Sequence, residues 1–181
     1  NTYHQHAVEE LEDPGRGAYG RYATPSRIRL PIADKVTYVA CGSYHLLART
    51  GLDEIYGWGR ADEGQLGIGY LSEKITEPVQ IKDLSFQSVT QICCGDNFSA
   101  ALTNKGRIHV AGSLDSGKLG LGKGLKRGYQ LNFREIRHVV GEAAKPGDLA
   151  PAPEFEYIAC GVQHMLAIAR YKGEDVKNSG T

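Results

Sequence analysis

The charged residues that could contact a ligand or a partner stand inside two glycine-rich stretches of the sequence. They are Arg60, Asp62 and Glu63 in the first stretch, and Asp115 and Lys118 in the second, which continues into Lys123, Lys126 and Arg127. The second stretch could receive an acidic protein surface or a phosphate backbone, because its four basic residues face a single acid. Charged loop residues are more often simply solvated. We predict a partner-binding surface at these residues, with a solvated loop as the plain alternative.

No group of residues in the sequence has the spacing that catalysis or metal binding requires. Ser, Cys, His and carboxylate residues form no recurring cluster, and Cys93 and Cys94 do not stand at zinc-site spacing from the histidines. Gly117–Gly120 lacks the Gly-x-x-x-x-Gly-Lys-Ser/Thr order of a phosphate-binding loop and the helix that should follow. We therefore predict that the protein is not an enzyme and uses no catalytic residue, cofactor or metal. A hydrolase or transferase is the class of function that this observation disfavours.

The two glycine-rich stretches are copies of one repeat. The stretch Gly57–Gly69 recurs as Gly112–Gly122, at an offset of 53 residues that also maps Cys41 onto Cys94. A later half-copy contains Cys160. Glycines this dense disfavour a helix and suit tight reversals with positive φ, which we expect at Gly64 and Gly67. Such self-similarity is typical of repeat proteins.

Short β-strands are predicted between the turn residues of each repeat. Each unit contains four runs of β-branched or apolar residues, and each run is closed by residues that favour turns. The runs are Val36–Cys41, His45–Thr50, Ile55–Trp58 and Pro78–Ile81 in the first unit, and Val89–Cys94, Phe98–Thr103, Arg107–Ala111 and Asn132–Ile136 in the second. This pattern predicts blades of a β-propeller, with no helix longer than one or two turns.

The chain divides into seven predicted segments. They are a polar loop (1–16), the end of a preceding blade with a strand at Ile28–Leu30 (17–35), two blades (36–85 and 86–137), an inserted loop (138–155), the first strands of a further blade (156–171) and a polar tail (172–181). Because the chain begins at Asn1 and its only methionine is Met165, we expect it to be either a piece of a longer chain or a chain with a processed N-terminus.

Charge and cysteine content restrict the partners and the compartment. The 21 basic residues balance 21 acidic ones, so no overall field recruits nucleic acid, and no apolar run is long enough to cross a membrane. Cys41, Cys94 and Cys160 occupy one equivalent position in three repeats. We interpret them as buried, reduced residues, which places the protein in a reducing intracellular compartment such as the nucleus, the cytoplasm or an organelle.

Two motifs give the repeat a family resemblance. One is an aliphatic-x-x-Gly-x-x-His turn, present as Val39 to His45, and the other is the Gly-rich loop from Gly59 to Gly67. Over residues 17–170 the chain resembles the regulator of chromosome condensation repeat family. That resemblance implies an all-β, seven-bladed propeller, of which this chain would be a part with about three four-stranded antiparallel blades. The remaining blades would come from missing sequence or another chain.

The resemblance also implies a function. It favours a non-catalytic protein–protein interaction or scaffold module that binds its partner through rim loops. The alternative is a guanine nucleotide exchange factor for a Ran-like small GTPase. His45, His164 and Trp58 are predicted to hydrogen-bond or pack at blade junctions, because Phe98 and Ala111 replace the histidine and the tryptophan in the second unit.

Overall fold

Ten short β-strands form three antiparallel sheets in the computed structural model, which describes residues 31, 34–122, 128–137 and 153–170. Sheet 1 contains β1 (Val36–Cys41), β2 (His45–Thr50), β3 (Ile55–Ala61) and β4 (Ser72–Gln80); sheet 2 contains β5 (Val89–Cys94), β6 (Phe98–Thr103), β7 (Ile108–Ser113) and β8 (Tyr129–Glu135); sheet 3 contains β9 (Glu154–Cys160) and β10 (Met165–Arg170). Within these ranges the only helices are 3₁₀ turns at Lys82–Leu84 and Asp115–Gly117. The expected all-β fold of antiparallel blades is therefore confirmed, as a partial propeller.

Some strands differ from their predicted bounds because their sequences lack an apolar pattern. β4 begins at Ser72 rather than Pro78, and its first half pairs through polar residues such as Lys74, which lies opposite Arg60. β3 continues past Trp58 to Ala61 although Gly59 has a φ of 102°. Several predicted segments lie outside the described residues. They are the segment 1–16, most of 17–35 with the predicted strand at Ile28–Leu30, most of the inserted loop and the polar tail.

Two apolar layers hold the three sheets face to face. Leu47 of sheet 1 packs in one layer with Ile92 and Ala101 of sheet 2, and Phe98 of sheet 2 packs in the other with Ile158 of sheet 3. Each fully buried aliphatic or aromatic side chain stabilises such a layer by about 1.5–3 kcal/mol. Sheet 2 is therefore covered on both faces, and every residue of its strand β6 is buried.

The cysteine prediction is wrong in two of its three members. Cys94 is buried and free, but Cys41 is exposed, and Cys160 is half-buried and bonded to Cys93 in a disulfide. The difference arises because burial at this position depends on a neighbouring sheet. Cys94 lies between sheets 1 and 2, while Cys41 lies in β1, whose burial pattern is mostly exposed.

No helix in the described ranges is long and apolar enough to cross a membrane. The same ranges contain no group of three or more His, Cys, Asp or Glu residues that could hold a metal ion.

Candidate functional site

The candidate site is one edge of the three sheets, where turns and loops of neighbouring sheets meet. We call it the loop rim and define it by the β1–β2, β5–β6 and β9–β10 turns together with the loop segments 62–65 and 115–118. Backbone hydrogen bonds join the turns of neighbouring sheets: the Ser43 amide donates to the Gly95 carbonyl at 3.4 Å, and the Asp96 amide donates to the Val162 carbonyl at 2.9 Å. The rim is therefore a continuous, ordered edge.

Two glycines fix the path of the first loop, as the sequence predicts. Gly64 has a φ of 75° and Gly67 a φ of 63°, both in the left-handed region that side chains disfavour. A Cβ atom on Gly67 would also overlap the ring of Phe133, and one on Gly64 would come within 3.1 Å of the Gln130 carbonyl oxygen. The loop lies tightly against β8 of the next sheet, which explains why glycine is required at these positions.

Arg60 organises the charges of the first loop. Its Nε lies 2.6 Å from Oδ1 of Asp62, a close ion pair whose angles do not make a hydrogen bond, and its Nη2 donates to Oε1 of Glu63 at 3.1 Å. The guanidinium also stands 5.8 Å from the centre of the Tyr44 ring, within cation–π range. The side chains of Arg60 and Glu63 are only 19% and 17% exposed. These two charges are thus largely withdrawn from solvent within the loop, which argues against the alternative of a simply solvated loop at these two residues.

Glu63 connects the first loop to the second sheet. Its other carboxylate oxygen accepts a hydrogen bond at 2.8 Å from the side-chain amide of Asn97, which lies in the β5–β6 turn. A carboxylate that accepts from two partners and is largely withdrawn from water costs free energy to disrupt, since removal of one partner leaves the others unsatisfied. Glu63 therefore contributes to the junction between sheets 1 and 2.

Lys118 makes the corresponding connection between sheets 2 and 3. Its Nζ donates to Oε1 of Gln163 at 2.9 Å and to Oδ1 of Asn97 at 3.5 Å, and the Gln163 amide donates to Oδ2 of Asp96 at 3.4 Å. Asn97 and Gln163 occupy equivalent positions of successive repeats, three residues after Cys94 and Cys160. Each junction thus has a loop side chain bound to the next turn.

Beneath the rim, His45 is buried at the first junction. Its Nε2 lies 2.8 Å from Oγ of Ser99 in β6, and that hydroxyl donates to the Gln65 carbonyl at 2.7 Å. Burial lowers the pKa of His45 to about 4, so the ring is neutral near pH 7. Burial likewise raises the pKa of the neighbouring Cys94 thiol to about 12. A neutral histidine and an un-ionised thiol, both shielded from solvent, serve packing, and the predicted junction role of His45 is met.

The predicted site residues therefore divide into four groups. Arg60, Asp62 and Glu63 form one cluster, Lys118 lies at the next junction, and Asp115 is exposed at the start of the 3₁₀ turn. Lys123, Lys126 and Arg127 lie outside the described residues. Sequence reasoning missed Tyr44, Asn97 and Gln163, which share the position just before the repeat His45, Phe98 and His164. That shared position is the signal that could have found them.

The sheets and the rim define a class of protein, a partial β-propeller built from repeated antiparallel blades. A family model of the regulator of chromosome condensation (RCC1) repeat matches residues 53–102, and a second model of the same repeat matches 36–65 and 89–117. The matched residues contain the glycine loop and the His45 turn described above. Residues 36–117 therefore carry regulator of chromosome condensation repeats.

Curated relatives are longer than this chain. Protein RCC2 homolog of Xenopus laevis is 30% identical over 169 residues, which are 87% of this chain and 33% of the relative. Human probable E3 ubiquitin-protein ligase HERC4 is 27% identical over 183 residues, 94% of this chain and 16% of the relative. The chain thus spans a third or less of the relatives it matches here.

Solved structures agree with the fold. The crystal structure of Prp20p from Saccharomyces cerevisiae superimposes with a TM-score of 0.63 at 23% identity, covering 75% of this chain and 31% of that one. Human WBSCR16 gives a TM-score of 0.61 at 28% identity, covering 80% of this chain and 33% of that one. At such identities the likeness to Prp20p concerns the fold alone.

Proposed function

We propose that this chain is a non-catalytic protein–protein interaction module that binds its partner at the loop rim. The observation that supports this most directly is the pair of side-chain connections across the rim, Glu63 to Asn97 and Lys118 to Gln163. They hold loops from three sheets in one arrangement before any partner arrives. Preorganised loops bind with a smaller loss of conformational entropy than mobile ones.

The rim offers a partner both aromatic and charged groups. Tyr44 is 40% exposed, the Asp62 side chain is 38% exposed, and Asp115 and Gln163 are exposed. Tyrosine is enriched in interfaces because one side chain supplies apolar area and a polar tip. Arg60 and Glu63 support this surface from below, and Lys123, Lys126 and Arg127 are proposed as further contacts.

Relatives are consistent with a protein partner. Yeast RCC1 (Prp20) has been crystallised with Kap60, and the Prp20p structure is described with its binding to Gsp1p and histones. By analogy, this chain would bind a protein through its propeller, and exchange activity on a Ran-like GTPase is the second candidate. We also propose an intracellular location. The cysteines no longer support a reducing compartment, because Cys93 and Cys160 form a disulfide.

The test compares two exposed charges at opposite ends of the strands of sheet 2. Asp115→Arg changes the rim, while Lys105→Glu changes the β6–β7 turn at the far end as a matched control. Each immobilised variant is exposed to cell extract, and the retained proteins are quantified by mass spectrometry. We expect Asp115→Arg to reduce the specific partners at least tenfold and Lys105→Glu to retain them. Equal capture by both variants would contradict a rim site.

A separate assay distinguishes the second candidate. Purified chain is added to a Ran-like GTPase loaded with fluorescent GDP, and nucleotide release is followed with time. A scaffold leaves the release rate at its intrinsic value. Release accelerated by the parent chain but not by Asp115→Arg would replace the scaffold proposal with exchange activity at the same rim.

A further inference from the structure

A disulfide between Cys93 and Cys160 joins sheet 2 to sheet 3 directly below the loop rim. The two residues are 67 positions apart in sequence, and their Cα atoms are 5.6 Å apart. Cys93 lies one residue before the end of β5, and Cys160 ends β9. The turns that follow them carry Asn97 and Gln163, so the covalent bond lies at the foot of the second rim junction.

The same pair of repeat positions meets at the first junction without a disulfide. There the Cys94 thiol lies 3.5 Å from the carbonyl oxygen of Ala40. Ala40 is the repeat equivalent of Cys93, and Cys94 is the equivalent of Cys160. The repeat therefore brings these positions together at both junctions, and only the second junction has cysteine on both sides.

Accessibility differs between the bonded cysteines and their neighbour. Cys93 and Cys160 are half-buried, whereas Cys94, next to Cys93 in the same strand, faces the opposite junction and is buried. Exchange of a disulfide requires a thiolate to reach one of its sulfur atoms. The partial exposure of Cys93 and Cys160 favours approach of a small thiol, whereas the buried Cys94 is shielded.

We propose that Cys93 and Cys160 form a thiol–disulfide exchange site that reversibly fastens sheet 3 to sheet 2, with small thiols of the glutathione class as its reductants. The thiolate of one small thiol attacks one sulfur, the Cys–Cys bond breaks, and the released cysteine takes a proton. A second small thiolate attacks the mixed disulfide, frees the other cysteine, which is also protonated, and leaves as the small-molecule disulfide. Two electrons pass from two small thiols to the protein, and glutathione disulfide is the oxidant in the reverse direction.

Reduction leaves sheet 3 held by noncovalent contacts alone. Midway along β9 these are the apolar layer that contains Phe98 and Ile158, and the Ile158 amide donating to Oε1 of Gln91 at 3.1 Å. At the rim end these are the Asp96 amide donating to the Val162 carbonyl at 2.9 Å and the Lys118–Gln163 hydrogen bond. At the far end the Phe155 amide donates to the Gly106 carbonyl at 3.0 Å. The exchange site therefore controls how firmly the third turn of the rim is fixed, while the junction between sheets 1 and 2 does not depend on it.

The first experiment equilibrates the whole chain in buffers of defined glutathione to glutathione-disulfide ratio. After acid quenching and alkylation, mass spectrometry measures the linked peptides. We expect one linked pair that appears and disappears with a single midpoint as the ratio changes. Cys93→Ala should abolish it, and Cys94→Ala, the adjacent matched control, should retain it. No linkage in excess glutathione disulfide, or linkage that persists in Cys93→Ala, overturns the proposal.

The second experiment measures amide hydrogen exchange in the oxidised and reduced forms. We expect exchange in Glu154–Arg170 to become at least tenfold faster on reduction, and exchange in β1 to β3 to remain unchanged. Unchanged exchange in sheet 3 would contradict the proposed arrangement.

Discussion

The Nε2 atom of His45 lies 2.8 Å from the hydroxyl oxygen of Ser99, so the repeat histidine of one sheet contacts the next sheet. At the following junction, the equivalent positions are occupied by Phe98 and Met165, which belong to one apolar cluster. A polar pair at one junction is thus replaced by apolar packing at the next. Both solutions fill the same space, and this explains how the repeat tolerates loss of its histidine.

The buried histidine should make stability depend on pH. The pKa of His45 is about 4 in the folded chain, below its ordinary value of 6.5, so the unfolded chain binds more protons between these values. The free energy of unfolding is therefore at its full value above pH 6.5 and falls as the pH drops toward 4. One pKa unit corresponds to about 1.4 kcal/mol, so the total loss is about 3 kcal/mol at most. Urea unfolding at pH 7, 6, 5 and 4.5 measures this.

Two variants assign the pH effect to its residue. His45→Phe copies the residue found at the equivalent Phe98 and should remove most of the dependence. Part of the pH dependence of stability should remain in this variant, because burial also lowers the pKa of His109. His164→Phe changes the exposed equivalent and should keep the parent's pH profile. A parent-like profile in His45→Phe would show that another group carries the effect.

The glycine loop should be sensitive to a single methyl group. Gly67→Ala adds left-handed strain of about 1–2 kcal/mol and an overlap with Phe133, so we expect a total loss of about 3 kcal/mol. Gly117 has a φ of 67° with nothing within 4 Å of a Cβ, so Gly117→Ala should lose only the strain. Thermal melts of both variants compare the two. Equal losses would refute the contribution of the overlap.

Glu63 and its neighbour Asp62 should differ in their effect on stability. Glu63→Ala removes the acceptor of Arg60 and Asn97, and we expect a loss of about 1–3 kcal/mol. Asp62→Ala changes a more exposed ion pair, and we expect a loss of less than about 1 kcal/mol. A double-mutant cycle of Glu63 and Asn97 by denaturant unfolding measures the coupling. Additive losses would show that the hydrogen bond contributes nothing.

The free thiols should differ in reactivity. Cys94 is buried, and desolvation raises its pKa to about 12, whereas Cys41 is exposed. Because the thiolate is the reactive form, native labelling of the oxidised chain at pH 8 should modify one thiol rapidly. Cys41→Ser should abolish the rapid phase, and Cys94→Ser should keep it. Rapid loss of the Cys94 thiol would mean that the first junction opens readily.

The sequence alone determined the repeat and the places where the chain must turn. Glycines such as Gly64 and Gly67 require positive φ for local steric reasons, and strands such as β1 and β6 follow from local runs of β-branched and apolar residues. Both the turns and these strands thus depend on residues that are close together in the sequence. The polar first half of β4 was missed because no local apolar pattern marks it.

The tertiary structure decided which side chains meet across the junctions. Cys93 and Cys94 are adjacent in sequence, yet one bonds to sheet 3 and the other lies against sheet 1, because successive strand residues point to opposite faces. Glu63 is a second example, because its carboxylate stands in a loop in the sequence but accepts a hydrogen bond from Asn97 of the next sheet in the structure. Such contacts join residues more than thirty positions apart, and they exist only once the sheets are stacked.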